Sequence, residues 1–214
     1  MSIYNKISIE GNISAGKSTI FNYIKTLPLN NVSFADEPLK KWENIKDTNN
    51  MNALECFYAN PSKNAFCFQV LAYITRLQEL LEIIKLYPSN SIITERCVET
   101  DKAVFAKMLY ESGHISSIEW ETYNYWYNNF IEVAKVNIII YVKTDPIKCY
   151  ERIQSRNRSG ENSITLEYLQ QCHNKHEEWI NSIDIPVIVI DGNEPIEIIQ
   201  IKITDILNNI LQTK

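Results

Sequence analysis

The chain has 214 residues, 45% of them apolar, and a formal net charge of −5 at pH 7. A single α/β domain of that length buries a substantial core, and an acidic balance argues against broad binding to nucleic acid or to an anionic membrane, both of which need extended basic surface. Five scattered cysteines (Cys56, Cys67, Cys97, Cys149 and Cys172) form no C-x-x-C pair and read as free thiols in a reducing compartment, while the longest apolar run, residues 136–142, falls far short of the ~20 residues a membrane helix needs.

Apolar alternation predicts a first strand over residues 4–10. It runs into Gly11-Asn12-Ile13-Ser14-Ala15-Gly16-Lys17-Ser18, which fits G-x-x-x-x-G-K-[ST], and Thr19 begins a helical pattern that continues to residue 27. A strand before this motif and a helix after it are the context of a phosphate cradle. Glycines let the backbone turn its N–H groups toward phosphate oxygens, the helix N-terminus adds positive potential, Lys17 reaches the outer phosphates and Ser18 can ligate magnesium.

Further strands are expected over residues 32–36, 91–95, 137–143 and 186–191, several of them continuously apolar as buried parallel strands are. Helices are expected over 16–27, 63–86, 100–112, 116–136, 145–156, 165–183 and 195–212, with residues 44–52 a polar loop. The pattern is that of a three-layer α/β fold with a central parallel sheet of about five strands flanked by helices, in one domain over residues 1–214.

Ligands gather outside the carboxyl ends of the strands in an open parallel sheet. Those ends carry Asp36-Glu37-Pro38, Glu95-Arg96-Cys97, Lys143-Thr144-Asp145 and Asp191. Near a phosphate loop, a carboxylate such as Glu37 or Glu95 can hold magnesium or accept the proton of an attacking hydroxyl; the alternative is a pair of helix or turn caps. Arg152, Arg156 and Arg158 stand at i, i+4 and i+6 before Ser159-Gly160, so the first two share a helix face. Over a phosphate site they form an Arg-rich lid, about residues 152–164, with the glycine as hinge; alone they would be a helix end favoured by the dipole.

In the helix of residues 63–86, Gln69 and Arg76 lie on one face of an otherwise apolar stripe. Buried polar groups need partners, and a base edge would supply them. His173 and His176, with Glu177 beside them, read as exposed helical polarity with no metal assigned, since no third ligand is spaced to match. The cluster Trp120, Tyr123, Tyr125, Trp126, Tyr127 and Phe130 reads as core or subunit-interface packing rather than a base-stacking surface.

Together these residues resemble the deoxyribonucleoside kinases. The resemblance rests on I-E-G-N-I-x-x-G-K-S-T at residues 9–19, E-P-L-x-x-W at 37–42, Phe68-Gln69, Glu95-Arg96 and the R-x-x-x-R-x-R run. It continues through Leu109-Tyr110-Glu111-Ser112, Glu119-Trp120, Leu166-Glu167-Tyr168-Leu169 and His176-Glu177-x-Trp179, and is closest to the deoxycytidine and deoxyguanosine kinase branch. It implies the P-loop kinase fold and transfer of the γ-phosphoryl group of ATP to a deoxynucleoside 5′-hydroxyl with Mg2+, in nucleotide salvage.

By the same resemblance Glu37 is the base facing the 5′-hydroxyl, and Glu95 and Arg96 serve magnesium and the reacting oxygens. Gln69 reads the base edge, Phe105 stacks on the base, Trp42, Leu54 and Phe68 line the pocket, and Tyr58 with Glu161 holds the 3′-hydroxyl. Arg152, Arg156 and Arg158 close over the donor phosphates. Ala72, Arg76 and Asp101 resemble the cytidine and purine branch rather than thymidine-preferring relatives. An Asp held by Arg offers acceptor oxygens to an exocyclic amino group, where thymine presents a carbonyl and a methyl.

Three positions depart from the family's pattern: Cys97 stands where a serine usually follows the E-R pair, Asn64 replaces a tryptophan, and Thr165 takes a proline position. The first is expected to remove a hydrogen bond to Glu37 or Glu95. A nucleoside monophosphate kinase would share loop and lid but needs cations around an acceptor phosphate that Glu37 would repel; a GTP-binding switch should carry an N-K-x-D motif late in the chain. The resemblance also implies a homodimer through helices around residues 100–136. A phosphate loop beginning at residue 11 leaves little room for a targeting segment, so the expected location is cytoplasmic or nuclear.

Overall fold

A computed structural model describes residues 4–156, 158 and 160–212. Five strands, β1 (Lys6–Glu10), β2 (Val32–Ala35), β3 (Ser91–Glu95), β4 (Ile138–Lys143) and β5 (Val187–Asp191), form one sheet in the order β2-β3-β1-β4-β5 with every neighbouring pair parallel. The order places β1 centrally. Its register sets Ile9 opposite Glu95 on β3 and Ile140 on β4, so the phosphate loop leaves the sheet between the ends of both neighbours. The chain moves outward from β1 to one side and then crosses to the other, and this reversal opens a crevice at the carboxyl ends.

Side-chain alternation assigns the faces of the sheet. Ile7, Ile9, Ile93, Ile140 and Val142 pack with Ile20, Phe21 and Ile24 of α1 (Lys17–Ile24) and with Ile199, Ile203 and Leu207 of α10 (Ile196–Gln212). On the opposite face, Ile139 and Tyr141 pack with Phe105, Cys172 and Trp179, and Ile92 with α4 (Pro61–Leu86) and α7 (Ser117–Ala134). Burying each large apolar side chain contributes about 1.5–3 kcal/mol, so these faces hold the three layers together.

The helical expectations hold at four long helices with trimmed ends. α7, α8 (Pro146–Arg156), α9 (Leu166–Ile180) and α10 all start one residue late. α4 begins two residues early because Asn60 caps it, accepting from the Lys63 N–H, and Pro61 suits its first turn. Two short helices escaped the periodicity reading: α2 (Leu39–Asn44) and α3 (Ala53–Ala59). α3 carries a capping box, Asn52 with Glu55, which is its one legible signal.

Residues 44–52 are more than a polar loop. The Asp47 carboxylate accepts from Asn49 N–H at 2.8 Å and Met51 N–H at 2.9 Å, and Lys46 bridges to Asn52. The helix expected over 100–112 is α5 (Val98–Thr100), a π-helical turn (Asp101–Ala106) and α6 (Lys107–Glu111). Such turns widen a helix at functional sites. Among the described residues, no helix is long and apolar enough to cross a membrane.

Candidate active site

The carboxyl ends of the strands open into a cavity of about 500 Å3 that runs from the phosphate loop to the side chains of α4. Ile13, Ser14, Ala15, Gly16, Lys17, Ser18 and Thr19 line one end. Gly11 and Asn12 lie outside the lining and shape the loop instead. Gly11 has φ +148°, and a Cβ there would sit 2.5 Å from the Val142 carbonyl oxygen. Asn12 Nδ2 donates to the Leu169 carbonyl at 2.9 Å and thereby ties the loop to α9. Lys17 Nζ donates to the Asn12 carbonyl at 2.8 Å; burial, with Arg96 nearby, lowers its pKa to about 8.

Opposite the loop, Glu37 ends β2's connection between two arginines, with Oε1 3.5 Å from Arg76 and 3.8 Å from Arg96. Burial opposes its charge, but Arg76, Arg96 and Lys17 outweigh burial and hold the carboxyl below the ordinary glutamate value. Glu95 moves the other way, pushed up by burial and by Glu37. Its Oε1 accepts from the Ser18 hydroxyl at 2.6 Å, so the two expected metal ligands meet at the loop.

Arg76 crosses the cavity wall from α4. Its Nε donates to Asp101 at 2.9 Å and its NH1 to the Glu95 carbonyl at 2.8 Å. Both partners of this ion pair are buried. Burial raises the Asp101 carboxyl although Arg76 pulls it down. The π-helical turn brings Asp101 and Phe105 to the cavity together, as Ala72 lies across from them on α4.

Trp42, Leu54, Tyr58 and Phe68 line the far end. Trp42 Nε1 donates to Thr75 at 2.9 Å and its ring meets Phe68 edge-on, which fixes an aromatic wall. Gln69 is 97% buried in this wall and lines the cavity. A side-chain amide can donate and accept at once, so a group placed in the cavity could bond it in both senses.

Arg152 and Arg156 reach the cavity from α8, and Arg158 from just beyond its end. Arg152 is bonded to the loop carbonyl of Ala15 at 3.1 Å and to Gly192 at 3.1 Å, joining the phosphate loop to the β5–α10 connection. Arg156 pairs with Glu161, and Arg158 lies 3.3 Å from the same carboxylate. Glu161 in turn pushes up the buried Tyr58 phenol, after burial itself. Gly160 has φ +83°, and Ser159, named with it in the sequence, lies outside the described residues.

Lining residues with no expectation attached include Phe57, Gly192, Glu194 and Ile196, while Leu39 and Tyr168 line the cavity from motifs on which the family resemblance rests. Phe57 stacks on Phe68 at 4.9 Å from α3, whose capping box was its available signal. Two expectations are corrected. His176 is fully buried behind Arg96 rather than exposed, because α9 packs that face against β4. Cys97 Sγ lies 3.3 Å from Thr100 and not against Glu37 or Glu95; the Cys97 N–H goes to Glu10 at 2.8 Å. The aromatic cluster divides, with Tyr123 in the core while Tyr125, Trp126 and Phe130 are exposed on α7.

The family model for deoxynucleoside kinases matches residues 7–213. The chain belongs to the deoxynucleoside kinase family. A probable deoxycytidine kinase of fowlpox virus (strain NVSL) is 38% identical across 89% of this chain and 80% of its own. Deoxycytidine kinase 2 of Gallus gallus is 36% identical, covering 88% and 82%, and the mitochondrial deoxyguanosine kinase of Xenopus laevis 33%, covering 90% and 83%. The protein is accordingly a nucleoside kinase, a phosphotransferase with the P-loop kinase fold.

Proposed function

We propose that this kinase moves the γ-phosphoryl group of ATP to the 5′-hydroxyl of deoxycytidine or a purine deoxynucleoside, with Glu37 as the general base. The observation that carries this is Glu37 itself, a carboxylate kept ionised by Arg76, Arg96 and Lys17 at the junction of the phosphate loop and the pocket. A nucleoside seated with its base at Gln69 and its 5′ end at Glu37 spans the cavity. Its hydroxyl gives its proton to Glu37 as the phosphoryl group arrives, and the ionised carboxylate is ready to take it. Phe105 stacks on the base, Arg76 orients Asp101 toward an exocyclic amino group, and Tyr58 and Glu161 receive the 3′-hydroxyl.

Lys17, Arg96 and the arginines 152, 156 and 158 stabilise charge that spreads over the transferring group. The Ser18 hydroxyl and Glu95 carboxylate are hard oxygen donors side by side at the loop, a set that suits magnesium bound with few protein ligands. They would hold it with the triphosphate, where it neutralises phosphate charge. The exposed Tyr125, Trp126 and Phe130 on α7 support a homodimer through that face, which sedimentation tests. A monophosphate acceptor fits poorly, since its phosphate would approach the Glu37 carboxylate.

Glu37→Gln keeps size and one acceptor but cannot take the proton. It should retain nucleoside binding and lose about 100-fold or more in turnover. Turnover within about threefold of the unmodified enzyme would remove Glu37 from the base role.

A further inference from the structure

Arg96 is held in a cage that the reaction itself does not explain. Its backbone has φ +69°, uncommon for a residue other than glycine, and such strain persists only where surroundings enforce it. The guanidinium lies over the Phe105 ring at 4.6 Å, NH2 donates to the Gly11 carbonyl at 3.1 Å, and Nε faces Glu37 at 3.8 Å. NH1 has two neighbours, the ring Nε2 of His176 at 3.3 Å and Glu10 Oε2 at 3.8 Å.

His176 is clamped on all sides. Its ring stacks on Tyr141 at 6.1 Å and meets Phe105 edge-on at 6.0 Å. Nδ1 lies 2.7 Å from the Cys172 carbonyl, which only accepts, so Nδ1 carries the hydrogen. In the neutral ring Nε2 is then a lone pair, and an arginine only donates, so the bond runs from Arg96 to His176. Glu10 Oε2 is fully buried and, among the described residues, has no hydrogen-bond partner. Its other oxygen is already engaged by Ser8 and by the Cys97 N–H.

We infer that His176 is a positioning residue for phosphoryl transfer, holding Arg96 toward Glu37 and the reacting oxygens by accepting from NH1 and so keeping the guanidinium off the Glu10 carboxylate. Without that acceptor, the nearest partner left to NH1 is Glu10 Oε2, 3.8 Å away, which has no hydrogen bond among the described residues and belongs to a side chain outside the cavity lining. The arginine then turns from the transition state, while the pocket wall of Trp42, Leu54, Tyr58, Phe68 and Gln69 on α2, α3 and α4 stays in place; Phe105, which packs on both Arg96 and His176, is a pocket residue shared with this cage. The inference rests on the reading that Arg96 faces the reacting oxygens.

The test compares His176→Leu, which removes the acceptor, with His176→Gln, whose side-chain oxygen reaches the place of Nε2. For His176→Leu, kcat for deoxycytidine at saturating Mg-ATP should fall about 10- to 100-fold, the loss expected for a charge-assisted hydrogen bond. The nucleoside dissociation constant, read by titration calorimetry, should change by less than about threefold. His176→Gln should recover most of kcat. The inference is overturned if His176→Leu keeps kcat within about twofold of the unmodified enzyme, if Leu and Gln lower it equally, or if the loss appears in KM alone. Should His176→Leu fail to fold, His176→Asn replaces it, since its shorter amide cannot reach Arg96; equal kcat for Asn and Gln overturns the inference. Arg96→Gln separates the layers of the claim: if it keeps full turnover the underlying reading of Arg96 fails, whereas if it loses turnover and His176→Leu does not, only the positioning role fails.

Discussion

Breaking the ion pair between Arg76 and Asp101 should cost stability and base discrimination together, with the two losses separable by a double-mutant cycle. The pair is joined at 2.9 Å with side chains 6% and 4% exposed, so removing one partner strands the other in the wall of the pocket. Asp101→Ala leaves a buried guanidinium that still has the Glu95 carbonyl at 2.8 Å and Glu37 at 3.5 Å. Those contacts place its cost at the low end of the range for broken buried pairs, about 3 kcal/mol. Arg76→Met leaves a carboxyl already pushed up by burial, which takes a proton and remains a poorly satisfied polar group at about 2 kcal/mol. Removing both leaves no stranded charge, so the double variant should be more stable than additivity allows by about 2 kcal/mol, measured by denaturant unfolding. Adding Ala72→Val should then raise thymidine kcat/KM relative to deoxycytidine by about tenfold or more, as the acceptor oxygens that disfavour the thymine carbonyl are gone. Stability costs that add within about 0.5 kcal/mol, or thymidine already the best substrate of the unmodified enzyme, would refute the reasoning.

Three further outcomes follow from single contacts. Gly11→Ala imposes a positive φ and a Cβ 2.5 Å from the Val142 carbonyl; about 3 kcal/mol of strain should lower the melting temperature by roughly 6–12 °C, and an unchanged melting curve would contradict it. Lys17 must be charged to meet phosphate, and in the free enzyme its pKa is lowered to about 8, so kcat/KM for ATP should fall as pH rises through about 8. Lys17→Arg should remove that limb from the pH profile, because arginine stays protonated. Tyr58→Phe and Glu161→Gln should raise KM for deoxycytidine by about tenfold yet leave 2′,3′-dideoxycytidine unaffected, since the latter has no 3′-hydroxyl to lose; equal effects on both nucleosides would remove these residues from the sugar site.

The sheet was legible because its strands are nearly continuous apolar runs, and the donor end because G-x-x-x-x-G-K-S dictates backbone shape as well as chemistry. Glu37, Glu95 and Arg96 could be weighed in advance because a parallel sheet places its ligands at strand ends. What stayed hidden depends on tertiary packing. His176 looks exposed on a helix with polar neighbours, and only the seating of α9 against Tyr141 and Phe105 turns it inward. Glu10 looks like the polar end of a strand until the loop above folds over it. α2 and α3 are six and seven residues long, too short for a helical period to declare itself, yet they bring Trp42, Leu54, Phe57 and Tyr58 to the pocket. The β5–α10 connection contributes Gly192 and Glu194 through its proximity to the phosphate loop, which no local motif encodes.

The central claim is that a neutral hydroxyl of an amino-bearing deoxynucleoside, and not a phosphate, meets the donor at Glu37. Incubating the protein with Mg-ATP and each of deoxycytidine, deoxyadenosine, deoxyguanosine and thymidine, alongside the four deoxynucleoside monophosphates, and separating the products by chromatography tests it directly. The account predicts 5′-monophosphates from deoxycytidine or the purine deoxynucleosides in excess over thymidine, with Glu37→Gln nearly silent; diphosphates from the monophosphates with no product from any nucleoside would contradict it.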